Sequence, residues 1–94
     1  MRIDKFMKLV GLAKRRSIAK ALCDAKRVTL NGYPAKASAC VKVGDTIEIR
    51  WGNRTVRAKV LKIPNGQLQK ERRSEYVEVI AQLSDATEED EVSS

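Results

Sequence analysis

Residues 2–32, RIDKFMKLVGLAKRRSIAKALCDAKRVTLNG, decide the fold. Around a helical wheel Ile3, Phe6, Met7 and Val10 fall within one arc of about 100° while Lys5 and Lys8 point away from it, which describes a short amphipathic helix. Asp4 stands in its first turn, where a carboxylate takes up free amides and opposes the positive end of the helix dipole. Gly11 breaks the pattern. Leu12 to Arg16 then lead to Ser17, which reads as the N-cap of a second helix through about Ala25. On that helix Ile18, Ala19, Leu22 and Ala25 share a face, with Cys23 at its margin. Arg27 to Leu30, then Asn31-Gly32, then Tyr33 predict a tight hairpin, because a type I′ turn needs positive φ at both central residues and Asn-Gly supplies it.

Beyond the hairpin, residues Lys36 to Val43 read as a connecting loop, and Gly44-Asp45 turns into a strand from Thr46 to Trp51. Ile47, Ile49 and Trp51 face one way in that strand, so Trp51 is expected in the core. Gly52-Asn53 forms the next turn, and Val56, Ala58 and Val60 alternate with Arg57 and Lys59. The alternation slips between Val60 and Leu61, where a bulge would curve the sheet. Pro64-Asn65-Gly66 ends the strand, Gln67 to Ser74 fits a loop or a helical turn, and a last strand runs from Tyr76 to about Ile80. The expected fold class is therefore α+β: two short packed helices against a small curved antiparallel β-sheet. Residues 1–83 form one domain in this reading, and 84–94, acidic and nearly without apolar side chains, form a disordered tail.

Charge narrows the function. The 94 residues carry 19 Lys and Arg against 12 Asp and Glu, unevenly distributed: residues 1–36 have net charge +8, 37–73 have +6, and 74–94 have −7. A strongly basic body with an acidic end points to a polyanion, and nucleic acid is the first partner to consider. A chain this short buries about 65% of the surface its unfolded form exposes, which leaves room for one modest core and little for a deep catalytic cavity. With no histidine, imidazole acid–base chemistry, His-ligated zinc and Ser-His triads are absent, and neither a metal nor a cofactor is expected. Cys23 and Cys40 lack the spacing of a zinc knuckle or a redox pair and read as reduced, half-buried small hydrophobes. The apolar stretches are too short for a signal or a membrane span, so a cytoplasmic, non-membrane protein is expected.

One ordered set of motifs carries a resemblance. Arg2-Ile3-Asp4-Lys5-Phe6, then Lys14 to Lys20, then Arg27-Val28 with Asn31-Gly32, then Lys36-Ala37-Ser38 and Val43-Gly44-Asp45 closely resemble the RNA-binding domain of the ribosomal-protein-S-four type, the αL motif. Within that superfamily the short chain is similar to the RqcP and heat-shock-protein-fifteen group, and most to its RqcP branch. The resemblance implies a non-enzymatic, ribosome-associated quality-control factor that binds stalled large subunits through rRNA and peptidyl-tRNA. It also implies support for an RqcH-type factor that adds an alanine tail to the aborted peptide, and a monomer when off the ribosome. Two other readings stay open: a heat-shock-protein-fifteen-like recycling factor without a tailing role, and a general nucleic-acid-binding protein. One departure from the family pattern is Lys26, which follows Ala25 where the family commonly has Gly, a position suited to left-handed backbone.

The candidate RNA contacts are Arg2, Lys5, Lys8, Lys14, Arg15, Arg16, Lys20, Lys36 and Ser38. Arginine makes bidentate contacts to phosphate and stacks on bases, so Arg2, Arg15 and Arg16 are the specific contacts, and the lysines supply position and long-range attraction. Arg16 matches the family's RNA-facing arginine just before the second helix. For Arg2 a structural role exists as well, a salt bridge to Asp4. Lys36 and Ser38 match the family's loop, while Asn31 is assigned to the turn and not to RNA.

Overall fold

The computed structural model describes residues 1–84. Of the tail expected over 84–94, residues 85–94 lie outside the described residues, and Ser84 instead closes the last strand. Helix α1 (Ile3–Leu9) and helix α2 (Arg16–Asp24) form one layer. Strands β1 (Val28–Leu30), β2 (Tyr33–Pro34), β3 (Thr46–Trp51), β4 (Arg54–Val60) and β5 (Val77–Ser84) form the other. They make one antiparallel sheet in the order β2-β1-β3-β4-β5, and a short 3₁₀ helix, Lys70–Glu75, precedes β5. Ile3, Phe6 and Met7 from α1 and Ala19 and Cys23 from α2 pack on Val28, Ile47, Ile49, Ala58 and Val60 of the sheet. Ala19 and Cys23 are the buried positions of α2, and Ala25 is exposed, so the apolar face is rotated toward Cys23 from the expected one. Both cysteines are free, Cys23 buried and Cys40 exposed, and burial pushes the Cys23 thiol up to about 11, aided by the nearby Asp4 and Asp24 carboxylates. Among the described residues no helix is long and apolar enough to cross a membrane.

The start of α1 is held by the loop that follows β2. Its first four amides all find acceptors: Ile3 donates to the Ala39 carbonyl at 2.7 Å, Asp4 to Ala37 at 3.3 Å, Lys5 to Asp4 Oδ1 at 2.7 Å and Phe6 to Arg2 at 3.0 Å. Ala37 and Val41 are buried, so the loop anchors itself in the core while its carbonyls satisfy the helix. The Asn31-Gly32 hairpin forms as expected, with φ of 53° and 88°. The Asn31 side chain also clips the hairpin to the Gly44-Asp45 turn, donating to Asp45 Oδ1 (3.0 Å) and accepting from the Thr46 amide (2.9 Å).

Three local expectations shift. Helix α2 begins at Arg16, because Arg15 is extended (φ −136°, ψ 150°) and its carbonyl accepts from the amides of both Ile18 and Ala19; Ser17 therefore lies inside the first turn and makes no capping bond. The register irregularity falls between Arg57 and Ala58, whose partners are Ala81 and Val79, so that Ile80 of β5 is the extra residue. At Val60 and Leu61 strand β4 simply ends. Strand β5 runs on to Ser84 because its ladder with β4 continues through Arg54.

Both helices close in the same way. Gly11 (φ 82°) donates to Lys8 and Leu12 to Met7; Lys26 (φ 61°) donates to Cys23 and Arg27 to Leu22. These are paired Schellman bonds with a left-handed residue after the C-cap, filled once by glycine and once by lysine. Gly11 has a second reason to lack a side chain, since a Cβ there would lie 2.7 Å from Arg73 Nη1. The Arg73 Nε donates to the Leu9 carbonyl at 3.2 Å, so a cation from the 3₁₀ helix caps the negative end of α1. Left-handed geometry costs an L-residue about 1–2 kcal/mol, partly offset by the greater chain entropy glycine loses on folding. Lys26→Gly should therefore stabilise the protein by about 0.5–1 kcal/mol, read as a raised urea midpoint at unchanged m.

Candidate nucleic-acid interface

A buried carboxylate organises the basic face. Asp4 is 2% exposed, and its Oδ2 receives Arg2 Nη2 at 3.2 Å and Arg16 Nε at 3.3 Å, while Oδ1 accepts the Lys5 amide. The late start of the sequence-expected helix would have left Arg16 outside the helical turn. With Arg16 as the first residue of α2, its guanidinium reaches across to α1. Both arginine side chains remain about half exposed, 49% for Arg2 and 48% for Arg16. Two guanidinium groups on one carboxylate leave an excess positive charge, with N–H donors still available to a phosphate.

Beside Arg2 the chain builds a shallow depression of about 560 Å³. Arg2, Lys20, Lys26, Lys36 and Ser38 contribute to its lining with one acid, Asp24, and with Cys23, Ala35 and Ala37. Four of the nine expected contacts, Arg2, Lys20, Lys36 and Ser38, thus converge from the N-terminus, α2 and the loop after β2. Arg16 joins them through Asp4. Lys5 and Lys8 are exposed on α1 and do not line the depression; Lys14 and Arg15 are exposed in the junction between the helices. Lys14 lines a different groove, toward the β3–β4 hairpin. Lys26 is the lining cation outside the expected set, and its position two residues past the end of α2 carried the signal.

The electrostatics of Asp4 follow from this geometry. Burial alone raises its pKa, but the hydrogen bond from Arg16, the Lys5 amide and the charges of Arg16 and Arg2 together outweigh burial and hold the carboxyl below the usual carboxylate value. The tether is therefore ionised at neutral pH. A depressed folded-state pKa contributes stability that is present above the unfolded value of about 4 and is lost as pH falls through the folded one.

The sequence pattern that defines the S4 domain matches residues 1–47, which contain the whole of this basic face. A protein of Halalkalibacterium halodurans named RQC P-site tRNA stabilizing factor is 42% identical over 79 residues, spanning 84% of this chain and 89% of that protein. A Listeria monocytogenes protein of the same name is 38% identical over 80 residues, spanning 85% and 86%. The trimeric structure of Vibrio cholerae Heat Shock Protein 15 superposes with a TM-score of 0.79 at 25% identity, covering 99% of this chain and 93% of that one. The chain belongs to the S4-domain family that includes these RQC P-site tRNA stabilizing factors.

Asp4→Asn keeps an acceptor for the Lys5 amide but removes the charge that holds both arginines. It should cost about 1–3 kcal/mol at pH 7. The difference from the native protein should begin to shrink as pH falls below the unfolded value of about 4, and should be lost only as pH falls through the lower folded value, where native Asp4 itself becomes neutral. Urea unfolding across pH checks this; a difference that is the same at every pH would remove the ionic tether from the account.

Proposed function

We propose that this chain is a ribosome-associated quality-control factor that binds stalled large subunits through rRNA and peptidyl-tRNA, and so supports alanine tailing by an RqcH-type factor. The observation that carries the reading is the pair Arg2 and Arg16 fixed on the buried Asp4, set in the segment that matches the S4 domain. The names of two relatives support its tRNA part, since both are called RQC P-site tRNA stabilizing factor.

The geometry suits the task. A guanidinium already held in position loses less rotamer freedom on meeting a phosphate than a free side chain does, so more of the contact energy appears as affinity. Asp4 supplies that hold and is itself shielded from the phosphate backbone by burial. Arg2 and Arg16 then act as the specific donors, while Lys5, Lys8, Lys14, Arg15, Lys20 and Lys36 add attraction that releases counterions. Ser38 offers a hydroxyl on the loop side of the depression. A helical RNA backbone presents phosphates at fixed spacing, and a rigid pair of forks reads shape in preference to base identity.

A recycling role without tailing is the second reading, favoured by the full-length superposition on Heat Shock Protein 15. Both readings require binding to large subunits. Arg16→Ala should weaken that binding by about 1–3 kcal/mol with the fold intact, measured by co-sedimentation at fixed salt with circular dichroism as the control. Unchanged binding would dismiss the site assignment. Deleting the gene should abolish alanine tails on stalled peptides if the tailing role is right, and restoration by the wild-type chain but not by Arg16→Ala ties the tails to this face. Undiminished tails in the deletion would leave the recycling role.

A further inference from the structure

Trp51 is expected in the core, and its side chain does lie on the core face of the sheet, opposite Arg54 across the Gly52-Asn53 turn. It is nevertheless 43% exposed. The helix layer covers the sheet as far as Ile49, which is 3% exposed, and the β3–β4 hairpin projects past it. What lies between the end of the helix layer and the overhanging strands is a groove of about 590 Å³. Its floor is apolar, with Leu12, Ile18, Ile49 and Val56, and Trp51 forms one wall. Two cations, Lys14 from the helix junction and Arg54 from β4, stand in its lining together with the amide of Gln82, and no acidic residue lines it among the described residues.

An apolar slot with an aromatic wall and only positive charge suits a ligand that is planar and apolar at one end and anionic at the other. An unpaired nucleotide has that chemistry: the base stacks on the indole and the flanking phosphates meet Lys14 and Arg54. Paired bases, already stacked on both sides, offer no free face. From these residues we infer that the groove beside Trp51 is a second RNA site, which takes an unstacked nucleotide of single-stranded or looped RNA. It is separate from the depression that Arg2 lines, and Lys14, one of the expected contacts outside that depression, belongs to it. Gln82 supplies a donor and an acceptor for a base edge, so the site tolerates every base with modest preference.

Trp51 is the sole tryptophan, so its emission reports on the groove directly. The full-length protein is titrated with single-stranded oligoadenylate of about eight nucleotides, within the usual site size of single-strand grooves, and with an RNA duplex carrying the same number of phosphates. Labelled RNA and anisotropy follow binding independently. The expected result is saturable quenching by the single strand and little by the duplex. Lys14→Ala and Arg54→Ala should each weaken the single strand and lower the slope of its salt dependence by about 0.7. Trp51→Leu should weaken it by about tenfold and Trp51→Phe much less, because a phenyl ring still stacks. Oligoadenylate that binds by anisotropy without altering the emission overturns the inference, as does equal quenching by the duplex. Quenching lost in Arg16→Ala would assign the effect to the helix face and overturn it too, whereas quenching kept in Arg16→Ala supports two independent sites. An apolar peptide that displaces the oligonucleotide at lower concentration than RNA binds would give the groove to a protein segment.

Discussion

The contact on which the structure of the basic face depends is the burial of one carboxylate among three donors. Asp4 joins three pieces of chain through their polar side: Arg2 before α1, the first turn of α1 and the first residue of α2. An ion buried to this degree is costly unless its lone pairs are occupied, and here both oxygens are. Removing any partner therefore does more than delete one pair. It leaves a charge in an apolar place and removes the polar tie between the two helices.

The same arrangement resolves a conflict between stability and function. A surface that binds a polyanion must keep cations close together, which repels them in the free protein. Neutralising them only with exposed acids, such as the Asp24 that lines the depression, would offer the RNA a repulsive partner. Placing the acid in the core offsets the repulsion while the guanidinium groups stay half exposed. The first-turn amides of α1 contribute as well, since the positive helix end faces Asp4 and the loop carbonyls of Ala37 and Ala39.

Much of the fold was legible because it is locally determined. Periods of 3.6 and 2 placed both helices and the four main strands, and Asn31-Gly32 placed the hairpin, since each signal spans only a few residues. The errors fall where distant parts of the chain decide. Ser17 has good capping chemistry, worth about 1 kcal/mol, yet the extended Arg15 and the reach of Arg16 to Asp4 set the helix start. The bulge belongs to the partner strand, so the alternation of β4 alone misplaced it. Alternation put Trp51 on the correct face without revealing where the helix layer stops. For the site, residue types and order identified the arginines, but the tie between Asp4 and Arg16 joins separate elements and has no local signature. Lys26 was the reverse case: the family pattern flagged a left-handed position, and the backbone takes it at φ 61° despite the side chain.

Fixed and free cations have different physical roles, and the fold separates them. Lys5, Lys8 and Arg15 are exposed without a carboxylate partner among the described residues, so their charges act at a distance and are screened by salt. Arg2 and Arg16 are held to a scaffold whose own position is set by α1, α2 and the loop after β2. Attraction from the first group brings any polyanion near, DNA or RNA alike, and carries no information about shape. Discrimination has to come from the second group, because only donors with a fixed spacing are mismatched by a helix of the wrong geometry. A small domain with little core gains that rigidity from one ionised carboxylate, and so, in the proposed function, the residue that decides which nucleic acid fits is one that the nucleic acid does not touch.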